Sequence, residues 1–121
     1  MKTLIENFSN QLNEGLEIGN STEITPTITE INNVVISGLG GSGIGGTLVS
    51  QLTSNQSTCP IIANNGYSLP EFVGENTLLI ICSYSGNTEE TISAMNIGID
   101  KKAEIACITS GGKILDKANE L

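Results

Sequence analysis

Four short apolar runs recur along the chain, and amphipathic patterns separate them. The runs are residues 34–37, 60–63, 78–82 and 105–109. Apolar residues at helical spacing follow three of them, over about 42–54, 88–99 and the segment after 112. Runs that are apolar at nearly every position are typical of strands buried on both faces of a parallel sheet. The alternation therefore predicts an α/β domain, with four parallel strands between two layers of helices and right-handed crossovers.

The N-terminal region carries a different pattern. Apolar residues at Leu4, Ile5, Phe8, Leu12 and Leu16 predict one amphipathic helix, which Gly19 and Asn20 can end. Residues 21–33 predict a connector with a short helical turn near Ile28 and Ile31, and a further short helical turn is expected near Pro70. We therefore divide the chain into an N-terminal helix and connector, residues 1–31, and a globular domain, residues 32–121.

The first run leads into a glycine-dense loop with the sequence GLGGSGIGG, residues 38–46. Glycines let the backbone turn sharply and approach a ligand closely, because no Cβ is in the way. Ser42 is predicted to cap the following helix. The free N–H groups at a helix N-terminus bind anions, most often phosphate.

A second loop repeats this plan with the sequence SYSGNTEET, residues 83–91. Ser83, Ser85 and Thr88 supply three hydroxyls within six residues. A helix cap, formed by Ser85 or Asn87, would need only one of them. Both loops follow strands, and ligands of open α/β sheets bind beyond the carboxyl ends of the strands. We therefore expect the two loops to converge on one phosphorylated ligand.

The charge balance limits the chemistry and the partners. The 121 residues carry a formal net charge of -8 and contain neither histidine nor arginine. A histidine acid or base and a guanidinium clamp for phosphate are therefore excluded within this chain. An acidic domain is a poor binder of nucleic acids and of anionic membrane surfaces. Lys113 is a candidate to approach a ligand, although a lysine in such a turn is more often exposed.

The three cysteines and the N-terminal sequence indicate in which cellular compartment the protein is expected. Cys59, Cys82 and Cys107 lack the spacing of a metal or redox motif and lie in or beside predicted strands. They are expected to be buried free thiols, with neither a metal site nor a redox role. The N-terminus lacks the pattern of a secretory signal, and no apolar run reaches membrane-spanning length. A cytoplasmic location is expected.

Two other interpretations of these motifs are weaker. Gly38, Gly40 and Gly43 match the dinucleotide fingerprint G-x-G-x-x-G. That fingerprint also needs an acid at the end of the second strand, where this chain has the sequence IANN. Glu89 and Glu90 could be a catalytic base, but acids that align with a helix dipole or lie in solvent are the commoner case.

Together, GLGGSGIGG and SYSGNTEET resemble the sugar isomerase (SIS) domain, and in particular the bifunctional phosphoglucose/phosphomannose isomerases. The resemblance extends from about Asn32 to the end and includes ITSGGK at residues 108–113. It implies an SIS-type, flavodoxin-like αβα sandwich that binds the phosphate of a phosphorylated hexose. The residues implied to hold the phosphate are Gly40, Gly41, Ser42, Ser83, Ser85, Asn87 and Thr88.

The resemblance also implies what this chain lacks. The family interconverts glucose 6-phosphate or mannose 6-phosphate with fructose 6-phosphate through an enediol, without a cofactor or metal. Its second SIS subdomain, its phosphate-contacting arginine and its catalytic glutamate and histidine are expected beyond residue 121. The chain alone is therefore expected to be inactive, and the full-length enzyme to be a homodimer. The alternatives are a non-catalytic SIS-type sugar-phosphate sensor and, less favoured, a dinucleotide-binding module.

Overall fold

The computed structural model describes residues 2–24 and 30–121. The helices are α1 (Lys2–Glu6), α2 (Phe8–Ser21), α3 (Gly41–Thr53), α4 (Glu89–Asp100) and α5 (Gly112–Ala118). The strands are β1 (Asn33–Gly38), β2 (Ile61–Asn64), β3 (Thr77–Ser83) and β4 (Glu104–Thr109). Each strand begins and ends within one residue of its predicted position, so the prediction from the apolar runs is confirmed.

The four strands form one parallel sheet in the order β2-β1-β3-β4. The chain moves outward from β1 to β2 and then returns past β1 to form β3. The direction of winding therefore reverses between β1 and β3, which is the position where doubly wound sheets open a crevice for a ligand. The predicted α/β class and the parallel sheet are both confirmed.

Helices cover the two faces of the sheet unequally. Val35, Leu79 and Ile105 stand side by side on one face, where Gly98 of α4 packs directly against Leu79. Ile114 of α5 belongs to the same buried core. On the other face, Gly46 of α3 packs against Ile36. The three layers of the predicted sandwich are thus present, with α4 and α5 on one face of the sheet and α3 on the other.

Three local predictions differ from the structure or lie outside it. The predicted N-terminal helix is two helices separated at Asn7, where the backbone has φ -90° and ψ 0°. Backbone hydrogen bonds of helical spacing continue through this residue, from Asn7 N to Thr3 O and from Gln11 N to Asn7 O. The expected helical turn near Pro70 is a single hydrogen-bonded turn, in which Val73 N donates to Pro70 O at 3.1 Å. The turn predicted near Ile28 falls on residues 25–29, outside the described residues.

Across residues 2–24 and 30–121, no helix combines the length and the apolar character needed to cross a bilayer.

Thr91 provides a test of the packing between α4 and the sheet. Its side chain is 1% exposed, and within the described residues its hydroxyl lacks a hydrogen-bond partner. A buried hydroxyl without a partner costs about 1–3 kcal/mol. We therefore expect Thr91→Val to raise the free energy of unfolding by about 1 kcal/mol in urea denaturation followed by circular dichroism.

Thr53→Val is the matched control for Thr91→Val. The Thr53 hydroxyl already donates to Val49 O at 2.7 Å, so its replacement should bring no gain. A Thr91→Val protein less stable than the original chain would show that the hydroxyl has a partner in solution.

Candidate functional site

The glycine loop, residues 38–41, joins β1 to α3 at the carboxyl edge of the sheet. Gly40 has φ 57°, a conformation that side chains rarely allow, and it precedes the first helical residue. The amides of Gly43 and Ile44 donate to Gly40 O at 3.1 Å each. The amides of Gly41 and Ser42 lie in the first turn, where a helix offers no carbonyl partner. The first turn of α3 holds no acidic residue, so its positive end is free to attract an anion.

The hydroxyl loop, residues 83–88, joins β3 to α4 at the same edge. Ser83 is 3% exposed, and its Oγ accepts a hydrogen bond from Gly86 N at 3.2 Å. The Ser83 and Thr88 hydroxyls lie 3.1 Å apart and share a hydrogen bond. Ser85 is exposed, and its Oγ accepts from Asn87 N at 3.2 Å. Ser85 is therefore the most exposed of the serine and threonine hydroxyls of this loop, whereas the half-buried Thr88 is hydrogen-bonded to the buried Ser83.

The two loops are in direct contact. Tyr84 N donates a hydrogen bond to Ser42 Oγ at 3.4 Å, across 42 residues of sequence. Because β1 and β3 are neighbours, the start of α3 and the hydroxyl loop lie at the same edge of the sheet. The structure therefore confirms the expectation that Ser42 and Ser85 share that edge.

The residues after β4 form a third side of the candidate site, and from this segment the sequence had indicated only Lys113 as a ligand contact. Ser110 N donates to Tyr84 O at 3.2 Å, and Ile114 N donates to Gly86 O at 3.1 Å. These bonds hold the hydroxyl loop against the N-terminus of α5. The signal for this contact was present in TSGG, residues 109–112, which again places hydroxyls and glycines after a strand.

The predicted capping roles are wrong. Ser42 is the second residue of α3, and the N-cap position belongs to Gly40. The helix begins early because Gly40 makes the turn itself. At α4 the N-cap residue is Thr88, without a side-chain cap bond, so neither Ser85 nor Asn87 caps this helix. The hydroxyl of Ser85 is engaged within its own loop instead.

Asn87 links the hydroxyl loop to α5. Its Nδ2 donates to Ser85 O at 3.0 Å, and its Oδ1 accepts from Lys113 N at 3.3 Å. Both ends of the side chain thus hold the loop in place. The Lys113 side chain is exposed at the start of α5. Direct contact of Asn87 or Lys113 with a ligand stays a prediction.

Tyr67, from the segment after β2, faces the acids at the start of α4. Its hydroxyl donates to Glu89 Oε2 at 3.5 Å. The negative charge of Glu90 raises the pKa of Tyr67 above its usual value, and desolvation and Glu89 add to this effect. The two acids occupy the first turn of α4, where the helix dipole favours them.

The raised pKa of Tyr67 gives a prediction for alkaline solution. The folded chain holds the phenolic proton more tightly than the unfolded chain, so this contribution to stability disappears as the pH rises through the folded-state pKa. We expect Glu90→Gln to lower the pKa of Tyr67 in an absorbance titration. Glu71 is a fully exposed acid that pairs with Lys101 and does not contribute to the raised pKa of Tyr67, so a Glu71→Gln protein should titrate as the original chain does. An unchanged Tyr67 pKa in Glu90→Gln would contradict the proposed cause.

The cysteines are free and lie at intermediate depth, so the expectation of full burial is wrong. Cys59 precedes β2, Cys82 of β3 lines the partly covered face of the sheet, and Cys107 of β4 packs at the margin of the main core. Burial raises the pKa of the Cys82 thiol, with a smaller effect from Cys107, and burial also raises the pKa of Cys107. Within the described residues, no group of histidine, cysteine or acidic side chains is arranged to hold a metal.

A parallel sheet of this order, with the glycine and hydroxyl loops meeting at its switch point, defines the SIS-type fold of phosphosugar isomerases. Solved structures share it. A proposed phosphosugar isomerase of Clostridium difficile 630 superposes with a TM-score of 0.64 and 24% identity, over 98% of this chain and 32% of the other. A corresponding Salmonella typhimurium LT2 protein gives a TM-score of 0.63 and 22% identity, over 70% and 27% of the two chains.

The sequence relatives are more specific than the fold. A bifunctional phosphoglucose/phosphomannose isomerase of Caldicellulosiruptor bescii is 41% identical over 116 residues, which are 96% of this chain and 34% of the relative. The Thermoplasma acidophilum enzyme of the same name is 48% identical over 83 residues, 69% of this chain and 26% of the relative. This chain is a homologue of the bifunctional phosphoglucose/phosphomannose isomerases, as its motifs indicated.

The extent of this relationship is limited. The chain spans about a third of the length of the curated relatives it matches. No family model matches it. The homology thus covers the part of these enzymes that contains the glycine loop and the hydroxyl loop.

Proposed function

We propose that this chain is the phosphosugar-binding part of an aldose–ketose isomerase that acts on glucose 6-phosphate or mannose 6-phosphate and on fructose 6-phosphate. The observation that carries the proposal is the contact between Ser42 and Tyr84. It joins an acid-free helix N-terminus to a loop rich in hydroxyls at the switch point of the sheet. In this proposal, residues 32–121 form the phosphosugar-binding domain.

The site residues divide into ligand contacts and supports. The amides of Gly40, Gly41 and Ser42 and the hydroxyls of Ser42 and Ser85 would donate to the phosphate oxygens. Thr88 joins them when Ser83 donates to Thr88 Oγ1, because the Thr88 proton is then available to the ligand. Asn87 supports the loop from behind. The phosphate is thus held by neutral donors, as a chain without arginine requires.

The chemical step needs groups that this site does not supply. Moving a proton between adjacent sugar carbons requires a positioned base, and ring opening requires an acid. Glu89 is exposed and Glu90 is half-buried, and both carboxylates lie near Tyr67 in the first turn of α4, so we assign neither of them as the base. In our proposal the base and the acid come from outside residues 1–121, in part from the second subunit of a homodimer. The chain itself then binds phosphosugars without converting them.

One further relative supports assigning the phosphate, rather than the chemistry, to this chain. A D-glucosamine-6-phosphate 4-epimerase of Sulfolobus acidocaldarius is 33% identical over 97 residues, 77% of this chain. Its name describes a different reaction on a 6-phosphorylated sugar. What the two kinds of relative have in common is a phosphorylated hexose.

Calorimetric titration of this chain tests the proposal. Fructose 6-phosphate, glucose 6-phosphate and mannose 6-phosphate should bind, whereas neutral fructose and NADH should not. The end of β2 carries Asn64, which donates to Ser37 Oγ at 3.2 Å, instead of the acid that holds a dinucleotide ribose. Binding of NADH but of no hexose phosphate would replace our proposal with a dinucleotide-binding function. Conversion of glucose 6-phosphate by the chain alone would show that the catalytic base lies within residues 1–121, contrary to our proposal.

A further inference from the structure

A polar pair stands at the carboxyl end of the sheet, immediately before the glycine loop. Ser37 of β1 is 1% exposed, and its Oγ accepts a hydrogen bond from Asn64 Nδ2 at 3.2 Å. Asn64 is the last residue of β2 and the register partner of Ser37. The same row of the sheet continues with Ile81 and Cys107, so the pair borders the apolar core. Such a pair costs more to bury than an apolar one, but it holds the two strand ends in one arrangement.

The two asparagines at this point contact both ends of the glycine loop. Asn64 Nδ2 also donates to Gly66 O at 3.3 Å, which fixes the turn after β2. In this turn, Oδ1 of Asn65 lies 2.6 Å from the position that a Cβ of Gly43 would occupy. Gly43 belongs to the first turn of α3, just after the glycine loop. The chain thus contacts β1 before the loop through Asn64, and α3 after the loop through Asn65.

The same segment continues to the hydroxyl loop. The hydroxyl of Tyr67 donates to Glu89 Oε2 at 3.5 Å, and Glu89 is the first residue of α4. We call residues 64–67, with the sequence NNGY, the NNGY segment. It contacts residues that flank the glycine loop on both sides and the hydroxyl loop on one side. Its position therefore sets how the two loops lie relative to each other.

We propose that the NNGY segment positions the phosphate donors of the site, and that Asn64 is its principal positioning residue, acting through Ser37. This inference rests on the proposed function, because it concerns the same phosphate. Ser37 is bonded directly to Gly38, so a shift of Ser37 moves the start of the loop that carries the amides of Gly41 and Ser42. Groups that bind a ligand must be held within about 0.5 Å of the productive geometry by neighbours that are themselves fixed. Asn64 supplies this support without touching the ligand.

This role accounts for the kind of residue found at the end of β2. Asparagine is neutral and carries two N–H donors, which serve Ser37 Oγ and Gly66 O. An aspartate could not donate to Gly66 O, and it would add a negative charge at the edge of the sheet that binds the phosphate. A neutral donor thus meets both needs of the position.

Calorimetric titration of Asn64→Ala with fructose 6-phosphate tests the proposal. The affinity should fall about tenfold, because the loop amides lose their alignment on the phosphate. Asn76→Ala is the matched control, since Asn76 Nδ2 also donates to a distant residue, Glu30 O at 2.8 Å, but at the amino edge of the sheet. Its affinity should equal that of the original chain. An Asn64→Ala protein that also binds like the original chain would overturn the proposal.

A double-mutant cycle with Ser37→Ala separates positioning from direct contact with the ligand. Ser37→Ala alone should also weaken binding, and the double variant should bind no more weakly than Asn64→Ala, because both changes remove the same hydrogen bond. Losses that add in the double variant would show that Asn64 acts on the ligand independently of Ser37, and would overturn the proposal. Ser37→Ala removes a single buried oxygen, so its affinity decides the question if circular dichroism shows that Asn64→Ala does not fold.

Amide spectra of the ligand-free, ¹⁵N-labelled chain provide a measurement that does not depend on binding. Asn64→Ala should shift the signals of Gly41 and Ser42, whereas Asn76→Ala should leave them in place. Unchanged signals of Gly41 and Ser42 in Asn64→Ala would overturn the positioning role. If the original chain binds no hexose phosphate, the proposed function fails, and these shifts alone then decide whether the NNGY segment positions the glycine loop.

Discussion

Replacing Gly86 by alanine should displace the hydroxyl loop and lower the free energy of unfolding by roughly 2–5 kcal/mol. Gly86 has φ 66°, in the region that residues with a Cβ adopt at a cost. An added Cβ would also overlap the carbonyl oxygen of Gly111, on the neighbouring loop. The position of the Cβ is fixed by the Gly86 backbone and the oxygen belongs to the Gly111 backbone, so neither can move aside as the end of a flexible side chain could. The change should also abolish phosphosugar binding, because Ser85 is displaced with the loop.

Gly45→Ala is the matched control. This glycine lies within α3 at ordinary helical φ, with no atom within 4 Å of an added Cβ. The same substitution there should leave stability unchanged or raise it by up to about 1 kcal/mol. Urea denaturation of the two variants measures the difference. Equal stability of Gly86→Ala and Gly45→Ala would show that the hydroxyl loop differs from the one described.

Replacing Ser85 by alanine should weaken the binding of fructose 6-phosphate tenfold to a hundredfold. A hydrogen bond from a neutral donor to a phosphate dianion is charge-assisted and contributes roughly 1.5–3 kcal/mol, which corresponds to that loss. The stability of the protein should change by about 1 kcal/mol or less, because the Ser85 hydroxyl is exposed and accepts a single bond from Asn87 N. Calorimetric titration and thermal melting of the same variant give the two values.

The control for Ser85→Ala is Ser54→Ala. Ser54 is exposed at the other end of α3, and its hydroxyl donates to Gln51 O at 2.9 Å. Its loss should leave phosphosugar affinity unchanged. If Ser85→Ala lowers the melting temperature while affinity stays the same, the Ser85 hydroxyl is structural and half of the functional argument is lost.

The strands could be predicted from the sequence because burial leaves a simple pattern. Leu79 and Ile81 face one side of the sheet and Ile80 the other, so a strand between two layers must be apolar throughout. The edge that holds the candidate site follows from the same pattern. Once the strands are parallel, their carboxyl ends lie together, and the loops after them must be neighbours.

The local geometry of the loops could not be predicted in this way. Several glycines of GLGGSG could have made the turn. The sequence therefore did not show that Gly40 makes it, with α3 beginning at Gly41, one residue before Ser42. The bond between Asn87 and Lys113 N joins residues 26 positions apart. It exists because β4 pairs with β3, and such a contact depends on the assembled sheet rather than on any local pattern.

The central claim is that the glycine loop and the hydroxyl loop hold one phosphate, and nuclear magnetic resonance tests it most directly. The ¹⁵N-labelled chain would be titrated with fructose 6-phosphate and, separately, with neutral fructose. The largest amide shifts are expected at Gly41, Ser42 and Ser85 with the phosphate ester, and none are expected with fructose. A second hydroxyl-lined cavity, of about 380 Å³, lies at the far end of α3 and includes Ser50 and Ser57. Shifts confined to that cavity, or equal shifts with fructose, would contradict the account.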